Sequence, residues 1–222
     1  MEFFLSYDFF KAAQRTTPNG VSTRICYLQP VKKSPEKVPG IYYLHGIKET
    51  SSGFRLNPDG TFQFFFTYGA LDRYGSGTWK LDSDTVVLQS LPWPGHDFTL
   101  AASGNVDDDL VTVKILGNPQ LVRHVFVSLD DGETGTWVKT NAHGEAGFRK
   151  RSVSSISIVF EFCPERYTKV IIENPNLNYF ELRFDQWLME VFFKNFVLKI
   201  EKYALSGKHP LMRGEKYEYE RG

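Results

Sequence analysis

The residues of this chain with the strongest claim to chemistry lie between Tyr68 and Tyr74. A carboxylate, Asp72, is followed by a guanidinium, Arg73, and flanked by two phenols, Tyr68 and Tyr74. A loop carboxylate in that setting could bind a polar ligand. With a spatially close His or Glu it could also supply the acid–base work of a hydrolase or isomerase. The competing role is local, because Asp at a turn commonly accepts backbone N–H groups and caps it. Trp79 and Trp93, with Tyr42 and Phe65, add rings that could line a barrel mouth and stack on a sugar. The same rings could simply fill a small barrel, whose interior leaves little room.

Other chemistries find no matching spacing. There is no Gly-x-Ser-x-Gly elbow, and the five histidines stand apart from any serine motif. They also lack His-x-x-x-His spacing, and no Cys-x-x-Cys occurs, so no metal site is expected. His124, beside Arg123, reads as a surface or barrel-wall residue. Asp107, Asp108 and Asp109 form a solvated turn without the spaced oxygens of a calcium loop. Tyr74 to Gly77 lacks the lysine and helix start of a phosphate cradle. No catalytic set and no cofactor are therefore expected. Cys26 and Cys163, two cysteines in 222 residues, read as reduced thiols rather than a bridge. Cys163 follows an apolar strand and precedes Pro164, which suits a buried strand end.

Charge narrows the partners. Lys+Arg and Asp+Glu both total 26, which speaks against nucleic-acid binding by counterion release and against a polybasic membrane surface. No apolar run approaches the roughly 18 residues of a membrane span. The N-terminus has no basic n-region, and Glu2 and Asp8 interrupt its apolar residues, so it makes a poor signal peptide. A cytoplasmic location is the expectation. A periplasmic or secreted one is the alternative if the N-terminus was reassigned or processed.

The elements that must position these residues are strands. Aromatic residues make up 15% of the chain and favour strands. Gly53 to Trp79 reads as three strands, with Asp59-Gly60 as a hairpin turn. In Thr61 to Tyr68 one face carries Phe62, Phe64, Phe66 and Tyr68, and Phe65 on the other face also needs cover. Further strands are expected at 41–45, 77–81, 85–89, 98–102, 110–116, over Val122 to Phe148, and at 156–162, 168–173 and 179–184. Pro92 to Gly95 is a rigid bend between two modules. Residues 185–203 satisfy both periods. A helical turn near Gln186–Val191 followed by a strand over Phe196–Tyr203 is the reading adopted. Lys216 to Glu220 reads as a short edge strand, with Tyr217 and Tyr219 on one side. Phe3, Phe4, Tyr7 and Phe10 suit one face of a short N-terminal helix.

Two resemblances cover about half the chain. Residues 41–90, with Pro-Asp-Gly-Thr-Phe, Tyr-Gly-Ala-Leu-Asp and Gly-Thr-Trp, look like a group of uncharacterised bacterial proteins. This block also resembles small lipocalin-like barrels, in which Gly-x-Trp opens a strand. Residues 121–173, with Asp130-Asp131-Gly132 and Thr140 to Phe148, are similar to a transthyretin-like module of the carboxypeptidase regulatory kind. Neither family implies a catalytic set. The expected fold is all-β. An appendage and linker occupy 1–39, a small antiparallel meander or half-barrel 40–95, and a transthyretin-like β-sandwich 96–222. The expected function is non-catalytic recognition of a small polar ligand, a glycan or a protein partner. Tyr68, Asp72, Arg73, Tyr74, Trp79 and Trp93 are its candidate binding residues. The alternatives are the Asp72 hydrolase or isomerase, and an accessory subunit exposing apolar surface near Phe192, Phe193 and Phe196.

Overall fold

The computed structural model describes residues 38–130 and 135–222. All of them lie in one compact unit, Lys32–Gly222. The expectations for the N-terminal helix, the early linker and Cys26 fall outside the described residues. Among the described residues the chain is all-β, and no helix is long and apolar enough to cross a membrane.

The block around Asp59-Gly60 folds as its turn residues dictate. β2 (Thr50–Leu56) and β3 (Thr61–Tyr68) join through Gly60, whose φ of 83° is open to glycine. Asp59 Oδ1 accepts from both Thr61 N–H (2.9 Å) and Thr61 Oγ1 (2.6 Å), which holds the turn and pulls that carboxyl below its ordinary range. β4 (Leu71–Asp82) returns against β3, and β5 (Thr85–Gln89) against β4. β1 (Gly40–Leu44) pairs with β2.

A five-stranded meander would leave β1 and β5 as bare edges, each a row of unpaired backbone groups. The last strands of the chain remove both. β14 (Phe196–Ile200) pairs with β5, β15 (Ala204–Gly207) with β14, and β16 (Tyr217–Arg221) with β15 and β1. The result is a closed eight-stranded antiparallel barrel in place of the half-barrel expected over 40–95. The expected 96–222 module differs correspondingly, since residues 196–221 pair in the barrel. β16 is no edge strand: Tyr219, facing inward, is fully buried.

Side chains pack the barrel interior. Phe54, Leu56, Phe62, Phe64, Leu88, Leu198 and Tyr219 fill it, as eight strands enclose a lumen that side chains occupy. Phe54 touches Phe64 and Tyr219 at centroid distances of 5.0 Å, and Phe62 meets Phe193 edge-on at 5.1 Å. Burying rings of this size is worth on the order of 2–3 kcal/mol each. Phe193 reaches the lumen across Gly75. A Cβ at that glycine would stand 2.7 Å from the Phe193 ring and from Val191 O.

Between β5 and β14 the chain builds two four-stranded sheets. One has the order β10–β7–β13–β6 and the other β12–β11–β8–β9. The strands are β6 (Phe98–Gly104), β7 (Leu110–Leu116), β8 (Val125–Leu129), β9 (Val138–Lys139), β10 (Glu145–Arg149), β11 (Ser155–Phe160), β12 (Thr168–Ile171) and β13 (Tyr179–Phe184). Among the strand pairs of the described residues, β7 and β13 alone run parallel. Val113, Val127, Ile158, Phe180 and Leu182, all fully buried, belong to their shared core. A single helical turn, α1 (Pro119–Val122), is capped by Asn118 Oδ1, which accepts from Gln120 N–H at 2.9 Å.

Residues 186–189 form a turn that is not helical, and the strand expected over Phe196–Tyr203 begins at Phe196 but ends at Ile200. The apolar patch expected near Phe192, Phe193 and Phe196 is covered. Phe193 is buried in the barrel, Phe196 packs against its core, and the guanidinium of Arg166 lies 5.1 Å from the Phe192 ring.

Candidate functional site

The strand phases distribute the sequence-derived candidates over different surfaces. In β3 and β4 the pairs Phe66↔Arg73 and Phe65↔Tyr74 place Arg73 on the inner phase and Tyr74 on the outer. Arg73 is buried where β5 stops short of the upper half of β4. Its guanidinium donates to Met189 O (3.1 Å), Phe162 O (3.0 Å), Glu190 O (3.4 Å) and Glu165 Oε1 (2.6 Å). It therefore ties the barrel to the inserted sheets and is not available to a ligand.

A second arginine completes this junction. Arg166 donates to Asp97 Oδ2 (2.9 Å), Glu190 O (2.6 Å) and Leu188 O (2.8 Å). Trp93 belongs here too: its Nε1 donates to Asp97 Oδ1 (3.0 Å), and Arg166 lies 5.7 Å from its ring. Burial pushes the Asp97 carboxyl up, against the pull of Arg166 and Trp93. Cys163 is a free, fully buried thiol whose Sγ–H donates to Leu188 O at 3.1 Å. Burial pushes it up to about 12, the opposite of an activated cysteine.

The remaining candidates separate as well. Tyr68 stands half exposed at the end of β3, on its inner phase. Trp79 packs against the barrel core, with Nε1 donating to Asn57 O (2.9 Å). Asp72 lies within β4 and not in a loop. It accepts from Thr67 Oγ1 (2.8 Å) across the strand pair, where a turn cap had been the expectation. Among the described residues no His or Glu is hydrogen-bonded to it. Asp72 and Tyr74, two apart on β4, share the outer face of the barrel, whereas Arg73 and Trp93 belong to the buried junction.

Ser52 and His209 are a pairing that sequence reasoning missed, and they resemble a nucleophile and its base. Their contact is 3.1 Å, from Ser52 Oγ to His209 Nε2, inside the barrel. The polarity is wrong for attack. Leu211 N–H donates to His209 Nδ1 (3.0 Å), so the neutral ring carries its proton on Nε2 and donates to Ser52 Oγ. Ser52 Oγ–H is then spent on Phe65 O (2.9 Å). Burial holds the imidazole neutral, down to about 4, and Phe64, Phe66, Tyr217 and Tyr219 surround it. The pair is a satisfied polar plug in the barrel.

The surface that gathers accessible groups is the outer face of β1–β4. The registers Tyr43↔Gly53, Gly53↔Phe65 and Phe65↔Tyr74 align three rings and a glycine in one row across four strands. At about 4.8 Å per strand the row spans roughly 14 Å. Gly53 is what makes it continuous, because a Cβ there would meet the Phe65 ring at 2.9 Å and Tyr42 O at 2.3 Å. Phe65 thus leans over Gly53 to within 6.0 Å of Tyr43, edge to face. The rings at the ends are open to solvent, Tyr43 at 38% and Tyr74 at 49%.

Polar side chains border this row. Ile41, Arg55, Gln63 and Ser76 align on one side, Ser51, Thr67 and Asp72 on the other. Together Ile41, Tyr43, Arg55, Gln63, Phe65, Tyr74 and Ser76 line a groove of about 400 Å³, within the ~300–1,000 Å³ typical of ligand sites. Tyr43, Arg55, Gln63 and Ser76 were not singled out from the sequence. The signal existed: the Gly69-Ala70 turn pairs Tyr68 with Leu71 and hence Phe65 with Tyr74.

No group of three or more His, Cys, Asp or Glu side chains that could hold a metal ion occurs among the described residues. Compared with known proteins, the chain matches no family model, no curated protein and no solved structure.

Proposed function

We propose that this protein is a non-catalytic binding protein whose barrel presents the outer face of β1–β4 to a glycan or a small polar ligand. The observation that carries the reading is the Tyr43–Phe65–Tyr74 row, laid open by Gly53 and bordered by polar side chains. A pyranose offers the complement: an apolar C–H face for the rings and hydroxyls at its rim for Gln63, Ser76, Thr67 and Asp72. Rings exposed on a rigid sheet also bind with little loss of conformational entropy.

The test is a glycan array followed by calorimetric titration of the hits. Tyr43→Ala and Tyr74→Ala should each weaken binding about tenfold, as loss of an aromatic stacking partner does. The melting temperature should stay within about 2 °C, because both rings are on the surface. An array without hits, or hits indifferent to both substitutions, overturns the reading.

A further inference from the structure

This inference rests on the reading of the β1–β4 face as a binding surface and concerns what binds there. One charge in the groove is uncommitted. Arg55 projects from β2 on the outer phase, between Ile41 on β1 and Gln63 on β3. It is exposed, and among the described residues no carboxylate lies within ion-pair distance and no hydrogen bond restrains its guanidinium. The contrast with the junction arginines is sharp, since Arg73 and Arg166 each spend their donors on three or more acceptors.

Arg55 stands on one margin of the aromatic row. Asp72 stands on the other margin, at the Tyr74 end, and Glu220 adjoins Tyr43 across the β1–β16 pair. A uniform polyanion such as a nucleic-acid strand would meet both carboxylates as well as Arg55, and the chain as a whole carries no net charge to compensate. A ligand with its acid group on one edge and hydroxyls on the other matches both margins. The hydroxyls donate to Asp72, and the acid takes the planar fork of the arginine.

We infer that the groove takes an acidic oligosaccharide, a uronic-acid-containing chain of two or three sugars, with its rings on Tyr43, Phe65 and Tyr74 and a carboxylate paired with Arg55. The length follows from the row, which spans roughly 14 Å and so accommodates a short chain of two or three sugars. The carboxylate of a uronic acid lies at the rim of its ring, where it can reach a side chain one residue row away while the ring face stays stacked.

The experiment compares each acid with its own methyl ester, which keeps the shape and removes the charge. The probes are trimers of galacturonic, glucuronic and mannuronic acid, their methyl esters, neutral trimers, and a hexathymidylate as a polyanion. Each is titrated into the full chain and into Arg55→Gln. At least one acid should bind tenfold or more tightly than its ester. That gap should close in Arg55→Gln and should shrink between 0.05 and 0.5 M salt, over which the screening length falls from ~14 to ~4 Å. Ester and acid binding alike, with both weakened by Tyr74→Ala, overturns the inference and leaves the wider binding reading standing. Tighter binding of hexathymidylate than of every acid overturns it in favour of nucleic acid. No binding by any acid also overturns it, and the neutral trimers then decide the wider reading separately.

Discussion

Ser52 Oγ and His209 Nε2 stand 3.1 Å apart, although 157 residues separate them in the chain. β2 supplies the serine, and the connection between β15 and β16 supplies the imidazole. That one contact shows how the C-terminal strands return to the first module and seal it.

The contact predicts an acid-sensitive barrel. Burial lowers the His209 imidazole from 6.5 to about 4, so between those values the unfolded chain binds a proton that the folded chain does not. Stability from this group is complete above about pH 6.5 and is lost as pH falls toward 4, by about 3 kcal/mol in all. Urea unfolding across pH 4–7 should show the loss. His209→Gln, which keeps an acceptor for Leu211 N–H, should flatten the slope in that window. An unchanged slope would remove His209 as its source.

The junction predicts an asymmetry between the partners of one ion pair. Arg73 is 2% exposed in its side chain and Glu165 41%. Arg73→Met strands the carbonyls of Phe162 and Met189 without their donor and should cost about 3 kcal/mol by denaturant unfolding. Glu165→Gln keeps the carbonyl contacts and removes only a solvated charge, so it should cost below about 1 kcal/mol. Equal costs would mean that the ion pair, not the buried carbonyls, holds the barrel to the inserted sheets.

Cys163 is predicted to be inert in the folded protein. Its thiol, pushed up to about 12, has about a thousandfold less thiolate at pH 8 than an ordinary cysteine. In a Cys26→Ser background, a disulfide reagent should label the native protein far more slowly than the protein in urea. Rapid native labelling would show that the site opens on the timescale of the reaction.

Much of the architecture was legible along the chain, for an identifiable reason. Alternation in Thr61–Tyr68 marks Phe62, Phe64 and Phe66 as inward whatever they face, because successive side chains must point to opposite sides. Asp59-Gly60 announces its turn through a backbone angle that few other residues accept. The candidate site was less legible. Asp72, Arg73 and Tyr74 are neighbours in sequence, yet the pleat sends Arg73 into the junction and leaves Asp72 and Tyr74 on the outer face of the barrel. Adjacency in a strand separates side chains, whereas pairing across strands unites them.

Local residue pattern set the strands, their inward faces and the local hairpins, since these depend on the pleat and on turn angles within a few residues. The return of β14, β15 and β16 past a hundred-residue insertion to close the barrel is a property of the assembled fold. The row from Tyr43 to Tyr74 also forms only there, because it requires four strands in one register. A period-two pattern says which way a side chain points and nothing about which distant strand will hydrogen-bond beside it.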